Sequence, residues 1–237
     1  MAADGDIVLR PVSSFAIGFR DVVPAFATIR RADIEARWNA AVAANPALFN
    51  GTVLLFQDVA VQGAALSAVA VPVDYATFSA FMAWGGPEPR LTNLFGAAAV
   101  VSRDGGLLLG RMGRRTDDPG TVKLVGGTPD LNDVIDGRVD MFGSIARELA
   151  EETGLRVDEA AREPKLWYAS DPPYGALIQV LRFPQDGATL AARVRDFLHE
   201  DNDPELQDVV VLDARTDPSM LGLPPYSLAI ARQLFAA

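Results

Sequence analysis

Residue types and spacing suited to chemistry meet in one run, Arg147-Glu148-Leu149-Ala150-Glu151-Glu152-Thr153-Gly154-Leu155. Glu148, Glu151 and Glu152 stand at i, i+3 and i+4, so on a helix three carboxylates share one face beside an apolar stripe. Unscreened, such a face repels itself. A hard divalent cation relieves it, because Mg²⁺ takes oxygen ligands and leaves room for water and for phosphate oxygens. A solvated acidic helix face is the plainer alternative for the charges alone.

The full pattern resembles the second half of the Nudix box, which reads Gly, five residues, Glu, seven residues, then Arg-Glu-aliphatic-x-Glu-Glu-x-Gly-aliphatic. At background residue frequencies a chance match in a chain this long is on the order of one in 10⁵, which favours resemblance over coincidence. The first half of the box departs from the pattern. Gly127, preceded by Gly126, lies 147 − 127 = 20 residues before Arg147, six more than the family spacing. Counting back from Arg147 puts Val139 where the family has its first Glu, with Asp136 and Asp140 as nearby acids that can substitute.

The resemblance implies that Glu148, Glu151 and Glu152 bind Mg²⁺, with Mn²⁺ as an alternative, and that Arg147 orients the carboxylates by charge-assisted hydrogen bonds. Gly126, Gly127 and Gly154 become structural, permitting tight backbone turns. The implied chemistry is metal-assisted attack of water on a diphosphate linkage, with a helix glutamate (Glu151 or Glu152) or an acid from elsewhere taking the proton. Family members often add a carboxylate ahead of alternating apolar residues. Glu205 precedes Leu206 to Leu212 in that form and is the choice for a fourth ligand or general base, with Glu200, Asp201 and Asp208 competing. Arg111, Arg114, Arg115 and Lys123 cluster just before Gly126 and are candidates for holding the diphosphate, arginine having a planar fork that suits phosphate; surface solubility is the competing account. Trp167, Tyr168 and Tyr174 are candidates for stacking on a base. His199 has no role in this reading.

The elements that must position these residues read as follows. Strands are expected over Ile7 to Val12, Ser14 to Phe19, Thr52 to Phe56 and Ala64 to Val73. A helix capped by Asp33 buries Ile34, Trp38, Ala41 and Val42, and a second over Asp74 to Trp84 turns Phe78, Phe81 and Met82 inward. The cluster Gly85-Gly86-Pro87-Glu88-Pro89 marks the boundary between an N-terminal α/β unit (1–90) and the rest (91–237). Beyond it come strands at Gly96 to Ser102, Gly105 to Arg111 and Thr121 to Val125, then a loop from Gly126 to Gly137. The helix Asp140 to Thr153 has Phe142, Ile145, Ala146 and Leu149 on its apolar side and Gly154 at its C-cap. Strands at Leu166 to Ala169, Ala176 to Phe183 and Asp208 to Leu212 alternate with helices at Leu190 to Glu200 and Pro224 to Phe235. The order is mixed α/β, and the resemblance implies an α/β/α sandwich around a mixed sheet preceded by the smaller N-terminal unit.

Composition sets outer limits. The chain has 237 residues, 49% of them hydrophobic, enough for a sizeable core. With no Cys and one His, disulfides, thiolate nucleophiles and multi-histidine metal sites are excluded. A net charge of −10 argues against a nucleic-acid partner, whose backbone calls for clustered Lys and Arg. No apolar run is long enough to span a membrane, and Asp4 and Asp6 stand where a secretory signal carries positive charge, so the expectation is a cytoplasmic protein with no membrane partner. A homodimer stays open.

The N-terminal unit bears on substrate. Trp38 with Asn45-Pro46-Ala47-Leu48-Phe49-Asn50-Gly51 is similar to a segment ahead of the diverged Nudix domain in a subgroup that includes UDP-sugar hydrolases. That resemblance implies UDP-glucose or UDP-galactose as substrate, giving UMP and a sugar 1-phosphate. ADP-ribose is the runner-up, and a non-catalytic nucleotide-binding module is the reading from another class.

Overall fold

The computed structural model describes residues 7–46, 48–114, 116, 118–201 and 204–236. The first part of the chain runs β1 (Val8–Val12), β2 (Ser14–Phe19), α1 (Ala25–Ile29), α2 (Arg31–Ala44), β3 (Thr52–Gln62), β4 (Ala65–Asp74) and α3 (Tyr75–Ala83). It continues with β5 (Leu91–Val101), β6 (Leu107–Met112), β7 (Val122–Lys123), β8 (Val125–Gly127), β9 (Val134–Ile135), β10 (Arg138–Val139) and α4 (Met141–Thr153). The last part is β11 (Ala161–Asp171), β12 (Tyr174–Arg182), α5 (Gly187–Glu200), β13 (Leu206–Leu212) and α6 (Pro225–Phe235).

β5 is the central strand, and its sequence shows why. It is apolar on both faces, as a strand covered on both sides must be. Leu94, Ala98 and Val100 point into one core with Met141, Ile145 and Leu149 of α4 and Leu190, Val194 and Leu198 of α5. Phe95, Ala97, Ala99 and Val101 point into a second core with Ile230 and Ala231 of α6. The sheet therefore lies between α4 and α5 on one face and α6 on the other, an α/β/α arrangement.

The sheet is mixed. β5 pairs parallel with β12 and antiparallel with β3, β6 and β8. Strand order is β1-β11-β12-β5-β3-β4-β2-β10-β9, with β6, β7, β8 and β13 branching from the β5 side. Space and sequence are thus interleaved: β1 pairs with β11, and β10 pairs with β2. A third core, formed by Phe26, Ile34, Leu55, Val71, Ala76 and Phe81, holds α1, α2 and α3 against β3 and β4.

Two local expectations change. Asp33 does not cap a helix: α2 begins at Arg31, and Asp33 sits in its first turn, ion-paired to Arg30 at 2.6 Å. The reason is that α1 and α2 meet at Arg30, which leaves no extended residue before Asp33, while the first turn's partial positive charge still favours an acid there. The Gly126 to Gly137 loop is also more regular than a loop. It contains the end of β8, a short 3-10 turn over Leu131–Asp133, and β9, which forms a hairpin with β10 just beyond Gly137 that extends the N-terminal strands.

Close approach at two glycines seats α4 and β8 against β5. A Cβ on Gly96 would stand 2.6 Å from Ile145 Cγ1, so its absence lets the helix lie directly over β5. Gly126 has φ +151°, and a Cβ there would meet the Gly96 carbonyl oxygen at 2.2 Å. Backbone cannot swing away as a side chain can. Gly126→Ala should therefore cost about 2–4 kcal/mol in urea unfolding. Gly120→Ala, at φ +78° with nothing within 4 Å, should cost only about 1 kcal/mol.

Candidate functional site

α4 carries the acidic run and is fixed at both ends. The Asp140 carboxylate accepts from the Gly143 N–H at 3.0 Å at its start, and Gly154 turns left-handed at its end with φ 67°. The apolar side, Met141, Ile145 and Leu149, is buried, which rolls Glu148 and Glu152 toward β8 and leaves Glu151 on the outer edge, its side chain 61% exposed. A Cβ on Gly127 would stand 2.6 Å from Glu148 Oε2. Gly126 donates its N–H to Glu152 Oε2 at 3.3 Å. Gly126 and Gly127 thus lie on a strand rather than in a turn, and what they permit is carboxylates against bare backbone.

Arg147 gathers the acids around it. Its Nη1 lies 2.8 Å from Glu148 Oε1 and 3.1 Å from Glu151 Oε2, and its Nη2 donates to Asp133 Oδ2 at 3.0 Å. Burial works against the Arg147 charge, but the Asp133 hydrogen bond and the charges of Glu148, Asp133 and Glu151 outweigh it and hold the guanidinium protonated.

Asp133 is the residue that backward counting from Arg147 misses. Val139 is buried in the core, Asp136 sits at the β9–β10 turn with φ 50°, and Asp140 is occupied in capping α4. Counted forward from Gly127, Asp133 follows after five residues, the spacing the Nudix pattern gives its first Glu. The six extra residues are then 134–139, the span of the β9–β10 hairpin. Asp133 is buried and accepts from the Asp130 N–H at 3.0 Å as well as from Arg147. A forward count was the available signal.

Glu205 joins the group from the other side. β13 runs antiparallel to β6 with Leu206 opposite Met112, and the Glu205 carbonyl accepts from the Gly113 N–H at 2.7 Å, which sets the segment in place. Burial pushes the Glu152 carboxyl up to about 8, helped by the charges of Glu205 and Glu148 and opposed by Lys123 and the Gly126 N–H. Glu148 is raised by burial too, partly offset by Arg147 and reinforced by Glu151 and Glu205. Of the acids weighed against Glu205, Asp208 is bound to Arg195 at 2.8 Å, and neither Glu200 nor Asp201 lines the cleft.

Of these carboxylates Glu205 lines a cleft of ≈ 1090 Å³, together with Lys123 and with Gly126 and Gly127, the glycines against which Glu152 and Glu148 pack; the helix glutamates themselves do not line it. Arg111 and Arg114 do not line it, and Arg111 donates instead to the Gly120 carbonyl at 3.3 Å. Arg115 lies outside the described residues. Arg37 of α2, which sequence reasoning passed over, does line the cleft, because α2 and α3 pack together at its rim. Of the three aromatics proposed for stacking, Tyr174 faces the cleft, whereas Trp167 and Tyr168 are buried in the two cores. Tyr226, another cleft residue, is buried enough that its hydroxyl is pushed well above the ordinary tyrosine range. His199 is exposed on α5.

The chemistry of the donors suits a hard cation: Glu148, Glu151 and Glu152 carry oxygen donors, with Glu205 close enough to raise the Glu148 and Glu152 carboxyls, and a divalent ion would relieve their mutual repulsion. Among the described residues no three acids already stand in a metal-binding arrangement, so such an ion would draw them together. No helix among the described residues is long and apolar enough to cross a membrane.

No family model matches the chain, and no curated protein does. Among solved structures it is similar to a Nudix hydrolase from Nitrosomonas europaea, 13% identical over 61% of this chain and 89% of that one, TM-score 0.42. It is also similar to a MutT Nudix hydrolase from Burkholderia pseudomallei, 18% identical over 61% of this chain and 96% of that one, TM-score 0.38. A third is a bifunctional NMN adenylyltransferase/ADP ribose pyrophosphatase from Francisella tularensis, 13% identical over 68% of this chain and 45% of that one, TM-score 0.44. Likeness at this level carries no weight for function, which rests on the residues of the site itself.

The raised Glu152 carboxyl has a consequence for stability. A carboxyl whose folded pKa lies above its unfolded value holds its proton better when folded, so stability is full below about 4.5, declines as pH rises, and levels off beyond about 8. Each pKa unit corresponds to roughly 1.4 kcal/mol. Glu152→Gln should therefore raise the melting temperature at pH 8 in EDTA and leave it unchanged at pH 4. Equal melting at both values would show that Glu152 is ionised at no cost.

Proposed function

We propose that the protein is a Nudix-type hydrolase that cleaves the diphosphate linkage of a nucleoside diphosphate derivative. The observation that carries this reading is the convergence of Glu148, Glu152 and Glu205 beside Gly126 and Gly127, with Arg147 tied to Asp133 behind them. A structural acidic face would have its carboxylates in water; Glu148 and Glu152 are instead largely withdrawn from it, against the two glycines that line a cleft of ligand size, with the exposed Glu205 on that cleft's lining.

Glu148 and Glu152 would hold Mg²⁺, or Mn²⁺ in its place, with Glu151 on the open edge of the helix completing the set. The metal supplies charge neutralisation at the diphosphate and a lowered pKa for bound water. The protein does the rest. Arg147 keeps Glu148 and Glu151 in one orientation and is itself oriented by Asp133. Lys123 offsets phosphate charge at the cleft foot. Glu205, lining the cleft, takes the proton of the attacking water.

UDP-glucose or UDP-galactose is the substrate we assign, yielding UMP and a sugar 1-phosphate, on the strength of the N-terminal segment around Trp38 and Asn45 to Gly51. Conversion of UDP-glucose to UMP with Mg²⁺, abolished by EDTA, is the expected result of a product-resolved assay that also contains ADP-ribose and nucleoside triphosphates. Cleavage of ADP-ribose alone would overturn the substrate and keep the chemistry. Glu148→Gln and Glu152→Gln should each lower kcat at least a hundredfold with the fold retained by circular dichroism. Asp133→Ala should lower it less, about tenfold, with recovery in Asp133→Glu, since its role is to hold Arg147.

A further inference from the structure

The cleft has two unlike walls, and only one of them is acidic. The other comes from the N-terminal part of the chain, where Phe49, Tyr75 and Phe78 line it together with Arg37. Phe49 is 84% exposed, an unusual state for a phenyl ring, which would gain by being covered. It is not exposed through slackness. The Leu48 N–H reaches the Asn45 carbonyl at 3.2 Å, and the Asn50 carboxamide oxygen accepts from the Ala76 N–H at 2.8 Å at the start of α3. The Gly51 carbonyl accepts from the Tyr75 N–H at 2.8 Å. A Cβ on Gly51 would stand 3.1 Å from the Phe49 ring, so glycine there gives the ring its seat. The chain directly after Phe49 is thus anchored to the start of α3, and the chain before it is folded into a turn, while the ring's face is left open. Tyr75 and Phe78, which line the same cleft, lie with ring centroids 5.8 Å apart.

We infer that this aromatic wall, with Phe49 as its open face, is the nucleobase subsite of the cleft. The inference rests on the proposed reading of the cleft as a nucleoside diphosphate site, and it gives that site a polarity. A planar base presents a π-face that aromatic rings receive without needing matched hydrogen bonds. The wall offers few polar groups, as base stacking requires. The remainder of the ligand faces the opposite side, where Asn93, Thr128, Asp171 and Tyr174 offer the hydrogen-bonding groups a sugar needs. Arg37 stands on the aromatic side, where its guanidinium can pair with a phosphate oxygen or lie over the base.

The test is calorimetric titration of the full chain with UMP, AMP, ribose 5-phosphate and glucose 1-phosphate in Mg²⁺, for the wild type, Phe49→Ala and Phe49→Tyr. The expected result is nucleotide binding weakened roughly tenfold in Phe49→Ala and restored in Phe49→Tyr, with ribose 5-phosphate and glucose 1-phosphate unaffected. Equal weakening of every ligand, no weakening, or no binding of either nucleotide by the wild type would overturn the assignment. Loss confined to glucose 1-phosphate would overturn it by placing the sugar against the wall. Because the readout is binding, it stays separate from turnover: failure of the wild type to hydrolyse any diphosphate would sink the proposed function, while the nucleotide comparison would still decide the subsite.

Discussion

Like charges held close and out of water are the constraint around which this molecule is arranged. Glu148 and Glu152 lie one helical turn apart, both largely buried, with Glu205 brought to them from a distant strand. Nothing in their own chemistry favours that meeting. It persists because the apolar stripe of α4 is locked against β5, because Gly127 leaves bare backbone where a side chain would have displaced Glu148, and because the Gly126 N–H is donated to Glu152. Burial then sets the protonation of the group, and a cation is the natural way to discharge it.

Arg147 offsets part of this charge, and its own position depends on chain that the acidic run does not contain. Asp133 fixes the guanidinium from the turn after β8, and the hairpin that follows pairs with β2. The residues in excess of the family spacing are therefore not slack in a loop. They are a pair of short strands that tie the Arg147 support to the N-terminal part of the sheet, so the acidic helix and the N-terminal strands share one framework.

That framework also decides the shape of the cleft. α2 and α3, packed on β3 and β4, supply one rim, while β7, β8 and the chain before β13 supply the other. The two rims differ in chemistry: aromatic rings with a single arginine on one side, acids and hydrogen-bonding groups on the other. A ligand with a charged middle and two unlike ends matches such a cleft better than a symmetric one.

Much of this was legible in the sequence by itself. The helix Met141–Thr153, its apolar stripe, its left-handed glycine and the three glutamates all follow from spacings within one turn or two, where geometry is local. So do the strand pattern and the mixed α/β order. What only the tertiary structure decided involves residues far apart in the chain. That Asp133 and not Val139, Asp136 or Asp140 meets Arg147 depends on where six residues are folded away, which a count cannot reveal from one end alone. That Arg111 and Arg114 miss the cleft while Arg37 lines it depends on the packing of α2 and α3. The pairing of β1 with β11 and the raised pKa of Glu152 belong to the same class. Backbone preference acts between neighbours, whereas burial, charge coupling and strand pairing act across space, and so the chemistry was written locally while its setting was not.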